Sequence, residues 1–505
     1  MRRFCSESIV IVETEIKLHI SPEHLLKLKR HPWLRSLATG RASSQKLYSI
    51  YYDTADLELR RQAMALRLRR AGRQWIQTLK GGGQVSAGLH QRNEWETPVP
   101  SEQLDFEMLK AGGGELPHGV RNRLQPVFVT DFTRNVRLLE FGGARIELCM
   151  DSGEIRAGKS SCPISEVELE LISGAPRQLF ELALALLDIV PLEVEHTSKA
   201  EYGYLLFSAS GPSVSKARFP ELRKSQSTAS VLPSLIGACL AHVQANVPGA
   251  LLKVDEEYLH QVRVGLRRLR VALSITQRFD GDDEELAELR EQVARLCVEL
   301  GRSREWDVFV TQTLAPICTR MPEHSGLREV LRASERARKK QHAGMEDNLS
   351  SQEFQRLLLR LGAWMHSDRW LGTGARLDRF VAKILEKRSR QVLKYGAGTA
   401  GENAEQLHVL RIACKKLRYS IEMFGSLFHD AAIKEYVAVL SRLQDILGAL
   451  NDIAVAHRLL NELDNAARRD TLALIRGWME HDYAERVAEF RRIWSRFAAQ
   501  KGFWD

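Results

Sequence analysis

Apolar residues in this 505-residue chain follow two different periods, and the change between them comes once. Up to about residue 207 they alternate in short runs: Leu47–Tyr52, Ala65–Arg69, Trp75–Lys80, Asn93–Val99, Val136–Phe141, Ala144–Met150 and Ser165–Ile172. A period of two is the mark of strands, whose successive side chains point to opposite faces. Gly81-Gly82-Gly83, Gly112-Gly113-Gly114 and Gly142-Gly143 separate the runs as turns. From about residue 231 the apolar residues recur at helical spacing and strand patterns vanish. Between the two lie Ser208-Ala209-Ser210-Gly211-Pro212-Ser213 and Ser225-Gln226-Ser227-Thr228, the composition of a linker. The expectation is a multidomain α+β chain. An antiparallel β-barrel over residues 9–207, with helical insertions at Pro22–Lys29 and Arg177–Leu187, precedes a linker over 208–230 and an all-α domain over 231–500.

The helical half repeats itself. Leu259-His260-Gln261-Val262-Arg263-Val264-Gly265-Leu266-Arg267-Arg268-Leu269-Arg270 returns as Leu407-His408-Val409-Leu410-Arg411-Ile412-Ala413-Cys414-Lys415-Lys416-Leu417-Arg418, an offset of 408 − 260 = 148. Leu300-Gly301-Arg302-Ser303-Arg304-Glu305 returns as Leu447-Gly448-Ala449-Leu450-Asn451-Asp452, an offset of 447 − 300 = 147. Two elements at nearly one offset predict two similar helical bundles related by pseudo-symmetry. At about 100° per residue, His260, Arg263, Arg267 and Arg270 share an arc of roughly 80°, as do His408, Arg411, Lys415 and Arg418. Four like charges on one face repel, so an anion is expected to offset them. Further basic clusters at Arg336, Arg338, Lys339 and Lys340, and at Lys387, Arg388 and Arg390, either extend that track or are exposed helix faces.

The net charge of +9 and pI near 9.2 point to polyanionic partners. Seven scattered cysteines without a CxxC pair fit reduced thiols in a cytosol and argue against a zinc site. No helix-turn-helix, zinc finger or aromatic stacking platform is evident, so nucleic acid is not expected as the partner. The apolar stretch Leu179–Leu192 is broken by Glu181, Asp188 and Pro191, and neither a signal peptide nor a membrane span is expected.

Charges alternate along several strands. Glu13, Glu15 and Lys17 share one face of Ile9–Leu18; Arg67 and Arg69 share another, and Arg92, Glu94 and Glu96 a third. Gln77 and Lys80 close one strand, and Arg134 and Arg145 stand alone. Glu166, Glu168 and Glu170 alternate with Val167, Leu169 and Leu171. Such strands either carry their charges outside or line a wet interior. If the barrel closes with charges inward, so many buried ions require metal and polyanion, and a linear phosphate chain with divalent cations meets both needs.

These motifs resemble the CYTH superfamily, the triphosphate tunnel metalloenzymes. The resemblance rests on Glu13-x-Glu15-x-Lys17, Tyr51-Tyr52-Asp53-Thr54, Leu66-Arg67-Leu68-Arg69, Gln77-Thr78-Leu79-Lys80, Arg92-Asn93-Glu94-Trp95-Glu96, Glu166-x-Glu168-Leu169-Glu170 and Ser198-Lys199. The helical half resembles the CHAD domain, a histidine-bearing module associated with polyphosphate. Together they look like inorganic triphosphatases of the CYTH–CHAD type. The resemblance implies that Glu13, Glu15, Glu168 and Glu170 hold Mg2+ or Mn2+, with Asp151 as a support. It implies that Lys17, Arg67, Arg69, Lys80, Arg92, Arg134 and Lys199 bind the triphosphate, with Arg137 or Arg145 as alternatives to Arg134. Glu13, Glu15, Lys17 and Lys199 would act in catalysis, Lys199 either assisting water or contacting phosphate. His260, Arg263, Arg267, Arg270, His408, Arg411, Lys415 and Arg418 would bind long-chain polyphosphate. The implied reaction is metal-dependent hydrolysis of inorganic tripolyphosphate to pyrophosphate and phosphate, in the cytoplasm and near polyphosphate granules. Alternatives are thiamine triphosphate, a nucleoside triphosphate or ATP cyclisation in the same tunnel, or a non-catalytic polyphosphate-binding protein. Two positions depart from the pattern: Glu305 where the CHAD pattern has aspartate, and Glu201 where tunnel enzymes often carry a basic residue.

Overall fold

The structure, a computed structural model, describes residues 11–86, 88–209, 211, 213–280, 283–372, 374–399, 403–464 and 468–504. Ile9 and Val10 of the expected first strand, Cys5, and Ser210 and Pro212 of the expected linker lie outside them. The chain divides into two compact units. One holds the described residues up to Val214 together with Ser350–Asp368; the other holds Ser215–Leu349 and the described residues from Arg369 onward.

Among the described residues, nine antiparallel strands build the first unit: β1 (Ile11–His19), β2 (Ser43–Asp53), β3 (Met64–Ala71), β4 (Gln74–Ser86), β5 (Leu89–Val99), β6 (Gln125–Phe141), β7 (Ala144–Ala157), β8 (Ser160–Ser173) and β9 (Glu193–Val194). Their order is β5-β4-β3-β2-β6-β7-β8-β1-β9. The ring closes because β1 also pairs with β5, from Ile11 opposite Glu94 to Ile16 opposite Leu89. Helices α1 (Pro22–Arg30), α2 (Pro32–Ser36), α3 (Glu58–Arg61), α4 (Phe106–Ala111), α5 (Pro176–Leu187) and α6 (Lys199–Phe207) fill the connections.

Closure explains the alternation. Ile16 and Leu18 on β1 and Val167 and Leu169 on β8 are fully buried, and α5 packs on both strands. Each such Leu or Ile contributes about 1.5–3 kcal/mol by leaving water. The intervening charged residues are thereby turned into the barrel. Gly153 on β7 lets β6 come close: a Cβ there would lie 2.2 Å from the Asp131 carbonyl oxygen and 2.4 Å from the Phe132 Cα. Asp53 is scaffold. Fully buried, it accepts N–H bonds from Thr54 at 2.7 Å, Leu59 at 2.9 Å and Arg60 at 3.0 Å, fixing the turn into α3.

The second unit is helical: α7 (Thr228–Leu251), α8 (Glu256–Asp280), α9 (Glu284–Val308), α10 (Ala315–Arg320), α11 (Ser325–Leu349), then α13 (Leu377–Ala397), α14 (Ala404–Phe424), α15 (Asp430–Glu462) and α16 (Arg469–Ala498). The repeat predicted from sequence appears as two helix pairs, α8 with α9 and α14 with α15; α8 also packs on α14 and α9 on α15. Trp306, Phe309, Leu327, Ile453, Leu459 and Ile475 join them in one core. Helix α7 is long and apolar enough by composition to cross a bilayer, although no span was expected from the sequence; 67% of that apolar window is buried within the protein, and the helix packs on α8.

The intervening helix α12 (Gln352–Met365) lies within the expected helical domain over 231–500 and groups with the barrel. Its surface explains this. Phe354, Leu357, Leu358, Leu361 and Trp364 are buried, and it packs on α5 and β9.

Candidate active site and a basic cavity

The inward charges of β1, β3, β4, β6 and β8 meet the start of α6 in one cavity of about 70 Å3. Glu13, Glu15, Lys17, Arg67, Arg69, Lys80, Arg134, Glu168 and Lys199 line it, beside Tyr51, Phe132 and Ser198. Nine of the site residues expected from sequence are therefore together. Glu170 does not line the cavity; it lies one step further along β8, opposite Glu15 and Glu147. Arg92 sits opposite Glu13 in the β1–β5 ladder, and its side chain lies outside the described residues. Of the three arginines weighed for one role, Arg134 faces the cavity, Arg137 donates to the Lys29 carbonyl at 2.5 Å, and Arg145 is exposed.

Ion pairs divide the cavity into two ends. At one, Lys80 meets Glu13 at 2.6 Å and Glu94 at 3.2 Å, and Arg67 meets Glu94 at 3.1 Å. Burial works against ionisation of Glu13, but Lys80, Lys17 and a bond with Glu94 together outweigh it and hold that carboxyl down to about 2. At the other, Arg134 grips Asp151 with two bonds, Nε to Oδ1 at 2.8 Å and Nη2 to Oδ2 at 2.6 Å, and also pairs with Glu168. Lys199 reaches Asp151 at 2.7 Å and Glu168 at 3.0 Å and pairs with Glu166; Lys17 pairs with Glu168 and meets Glu15 at 2.9 Å. Burial opposes the Lys199 charge, yet Asp151, Glu166 and Glu168 raise its pKa above the ordinary lysine value. The Glu166 carboxyl is pushed up to about 7, by burial first and by neighbouring Glu168, against the pull of Lys199.

Arg69 differs from the other cations. It donates from Nε to the Ser49 hydroxyl at 3.3 Å and makes no ion pair among the described residues. Burial and the neighbouring charges of Arg67 and Arg134 lower its pKa to about 10.

Oxygen atoms of Asp151, Glu166 and Glu168 lie within 4.8 Å of one another, all on buried residues. Three hard oxygen donors, each a carboxyl whose ionisation burial opposes, fit a divalent cation of the Mg2+ or Mn2+ kind. The sequence reading gave Asp151 a supporting part and Glu166 none, although Glu166 shares the face of Glu168. Phe132 was also missed: its ring lies 5.7 Å from the Arg134 guanidinium and 5.1 Å from the Lys199 ammonium. The signal was available, since Phe132 and Arg134 are two apart on one strand.

A second cavity, of about 780 Å3, lies within the helical unit. His260 and Arg267 of the first repeat and Lys415 and Arg418 of the second line it. The other expected residues do not. Arg263 is buried and donates to the Leu300 carbonyl, Arg270 and His408 are exposed, and His408 Nδ1 lies 2.8 Å from Asn451 Oδ1. Arg411 is half-buried; burial and Arg267 act to lower its pKa, against Asp452. Burial, then Arg267 and Arg411, lower the Lys415 amine to about 6. Three members of the outlying basic clusters have partners within the unit: Arg338 pairs with Asp307 at 2.7 Å, Arg388 donates to the Ser274 hydroxyl at 2.8 Å, and Arg390 pairs with Glu386 at 2.5 Å. Of the two departures, Glu201 pairs with Arg60 at 2.5 Å and Glu305 with Arg458 at 2.5 Å.

The CYTH domain family matches residues 12–204 and the CHAD domain family residues 234–461. An inorganic triphosphatase of Haemophilus influenzae is 36% identical over 202 residues, 40% of this chain and 57% of that protein, so the chain spans just over half the length of that relative. An uncharacterized protein of Mycobacterium tuberculosis is 26% identical over 485 residues, covering 88% of each chain. The crystal structure of the CHAD domain from the plant Ricinus communis is 29% identical, covers 58% of this chain and 98% of that one, and has a TM-score of 0.52. With one domain family matched in its barrel and the other in its helical half, the chain pairs a CYTH domain with a CHAD domain.

Proposed function

We propose that the barrel hydrolyses inorganic tripolyphosphate to pyrophosphate and phosphate with Mg2+ or Mn2+. The observation that carries this reading is one cavity lined by Lys17, Arg67, Arg69, Lys80, Arg134 and Lys199, in which Arg69 has no carboxylate partner among the described residues. A cation so placed is matched by an anion from outside. The H. influenzae relative named as an inorganic triphosphatase supports the same reading over the barrel.

Arg67, Arg69 and Lys80 bind and orient one part of the phosphate chain, and Lys17, Arg134 and Lys199 bind the other. Asp151, Glu166 and Glu168 would hold a divalent cation, with Glu13 and Glu15 as further carboxylates of the cavity. When bound, the cation supplies charge neutralisation and a lowered pKa for water. Water attacks the terminal phosphorus, the P–O bond to the bridging oxygen breaks, and pyrophosphate leaves. Arginines fixed before reaction stabilise charge on the transferred group without reorganising. Lys199 is a cation of the same cavity, placed to hold a phosphate oxygen.

The helical cavity binds longer polyphosphate through His260, Arg267, Lys415 and Arg418. Lys415 supports this: an amine lowered to about 6 by burial first, and then by Arg267 and Arg411, regains its charge when a polyanion arrives. Competition between long polyphosphate and DNA at fixed salt tests the partner class. Charge reversal at Arg267 is expected to weaken polyphosphate binding and leave tripolyphosphate turnover intact; unchanged affinity would refute the cavity assignment.

A further inference from the structure

Helix α12 lies inside the helical half of the sequence and yet completes the edge of the barrel. Strand β9 is only two residues long and meets β1 through Val194 opposite Leu18 and Glu193 opposite His19. Neighbouring N–H groups on a strand alternate between its two edges. Towards β1, the Glu195 N–H donates to the Lys17 carbonyl at 2.8 Å. On the other edge, the Leu192 N–H donates to Gln352 Oε1 at 3.2 Å and the Val194 N–H to Gln355 Oε1 at 2.9 Å. Gln352 and Gln355 are three apart and so share one face of α12. Their side chains stand where a neighbouring strand would supply carbonyls.

The helix has little freedom to drift. A Cβ at Gly362 would lie 2.1 Å from the Phe180 ring, so only glycine permits this approach, and Phe180 stacks on His366 at 5.5 Å. Beyond β9 the chain is held as tightly. Glu195 accepts from the Thr197 N–H at 2.6 Å and from the Tyr202 hydroxyl at 2.9 Å, and Ser198 caps α6 by accepting from the Glu201 N–H at 3.2 Å. The next residue after that cap is Lys199, and the residue on the β1 side of the clamp is Lys17. Both ammonium groups pair with Glu168.

We propose that Gln355 is a positioning residue of the tunnel: by holding β9 against β1 it sets where Lys17 and Lys199 stand over the reacting phosphate. This rests on the triphosphatase reading. Small displacements of such groups cost rate more than binding. The full-length variants Gln355→Met, which keeps bulk and loses the acceptor, and Gln355→Glu, which keeps an acceptor, separate this from a packing role. With Mg2+ and tripolyphosphate, Gln355→Met is expected to lower kcat about tenfold with KM changed less than about twofold, and Gln355→Glu to recover most of it. Arg356→Ala, on the same helix as Gln355, removes an exposed pair with Asp188 at the end of α5 and is expected to leave kcat unchanged. Folded Gln355→Met with wild-type kcat, or Met and Glu variants equally impaired, would overturn the proposal. Should Gln355→Met not fold, amide exchange of the wild type decides. Mg2+ with tripolyphosphate is expected to slow exchange in residues 190–200 and 352–365 together, and protection confined to the barrel strands would overturn it. A wild type that does not hydrolyse tripolyphosphate counts instead against the triphosphatase reading.

Discussion

Arg69 reaches the Ser49 hydroxyl at 3.3 Å and no carboxylate among the described residues, although Glu13, Glu15 and Glu168 line the same cavity. Its neighbours Arg67 and Arg134 add to the burial that lowers its pKa. Removing it therefore breaks no ion pair and relieves repulsion. Arg69→Ala is expected to fold at least as stably as the wild type and to lose about 1.5–3 kcal/mol of triphosphate interaction, roughly ten- to a hundredfold in kcat/KM. Thermal unfolding and steady-state kinetics check the two halves of this statement.

Asp151 behaves in the opposite way. It is fully buried, takes two bonds from Arg134 and meets Lys199 at 2.7 Å. Asp151→Asn keeps the shape and leaves two buried cations short of countercharge, at a cost of about 3–5 kcal/mol. Urea denaturation followed by barrel tryptophan fluorescence measures the loss.

The cluster of Asp151, Glu166 and Glu168 places three carboxylates within 4.8 Å. Chelation is expected to abolish phosphate release, and added Mg2+ or Mn2+ to restore it, with the far-ultraviolet circular dichroism unchanged. The cation is also expected to raise Tm, because it binds the folded state alone.

Lys415 gives a signed pH dependence. Its folded pKa, about 6, lies below the ordinary value of 10.5 because of burial, Arg267 and Arg411, with Asp452 acting the other way. Between those values the unfolded chain binds more protons, so this group makes stability rise with pH across the window and withdraws that contribution as pH falls towards 6. A polyanion in the cavity restores the charge, so binding near pH 7.5 takes up a proton. Calorimetric titration with long polyphosphate in buffers of different ionisation enthalpy is expected to show uptake, and Lys415→Met to remove it.

The barrel was legible because charge and apolar residues alternate strictly on β1 and β8, a pattern that a closed sheet with helices outside satisfies. Arg67, Arg69, Lys80, Arg134 and Lys199 could be named for the same reason. Glu166 was passed over because period two makes it equivalent to Glu168 and Glu170. Only the ladder, which sets Glu166 opposite Asp151 and Glu170 opposite Glu147, tells the three apart. Arg263 and Arg267 share a helical arc, but one points to the Leu300 carbonyl and the other into the cavity, a distinction made by packing of α9. The place of α12 could not be read at all: its periodicity is that of any buried helix, and its partners on β9 lie some 160 residues earlier in the chain.

The proposed substrate of the tunnel is a bare inorganic triphosphate. Phosphate release by the purified full-length protein from tripolyphosphate, ATP and thiamine triphosphate, with Mg2+ and Mn2+ in parallel, tests it most directly. Tripolyphosphate is expected to be cleaved fastest, to one pyrophosphate and one phosphate, and only with a divalent cation present. Preferential turnover of ATP or thiamine triphosphate, or no release from tripolyphosphate with either metal, would contradict it.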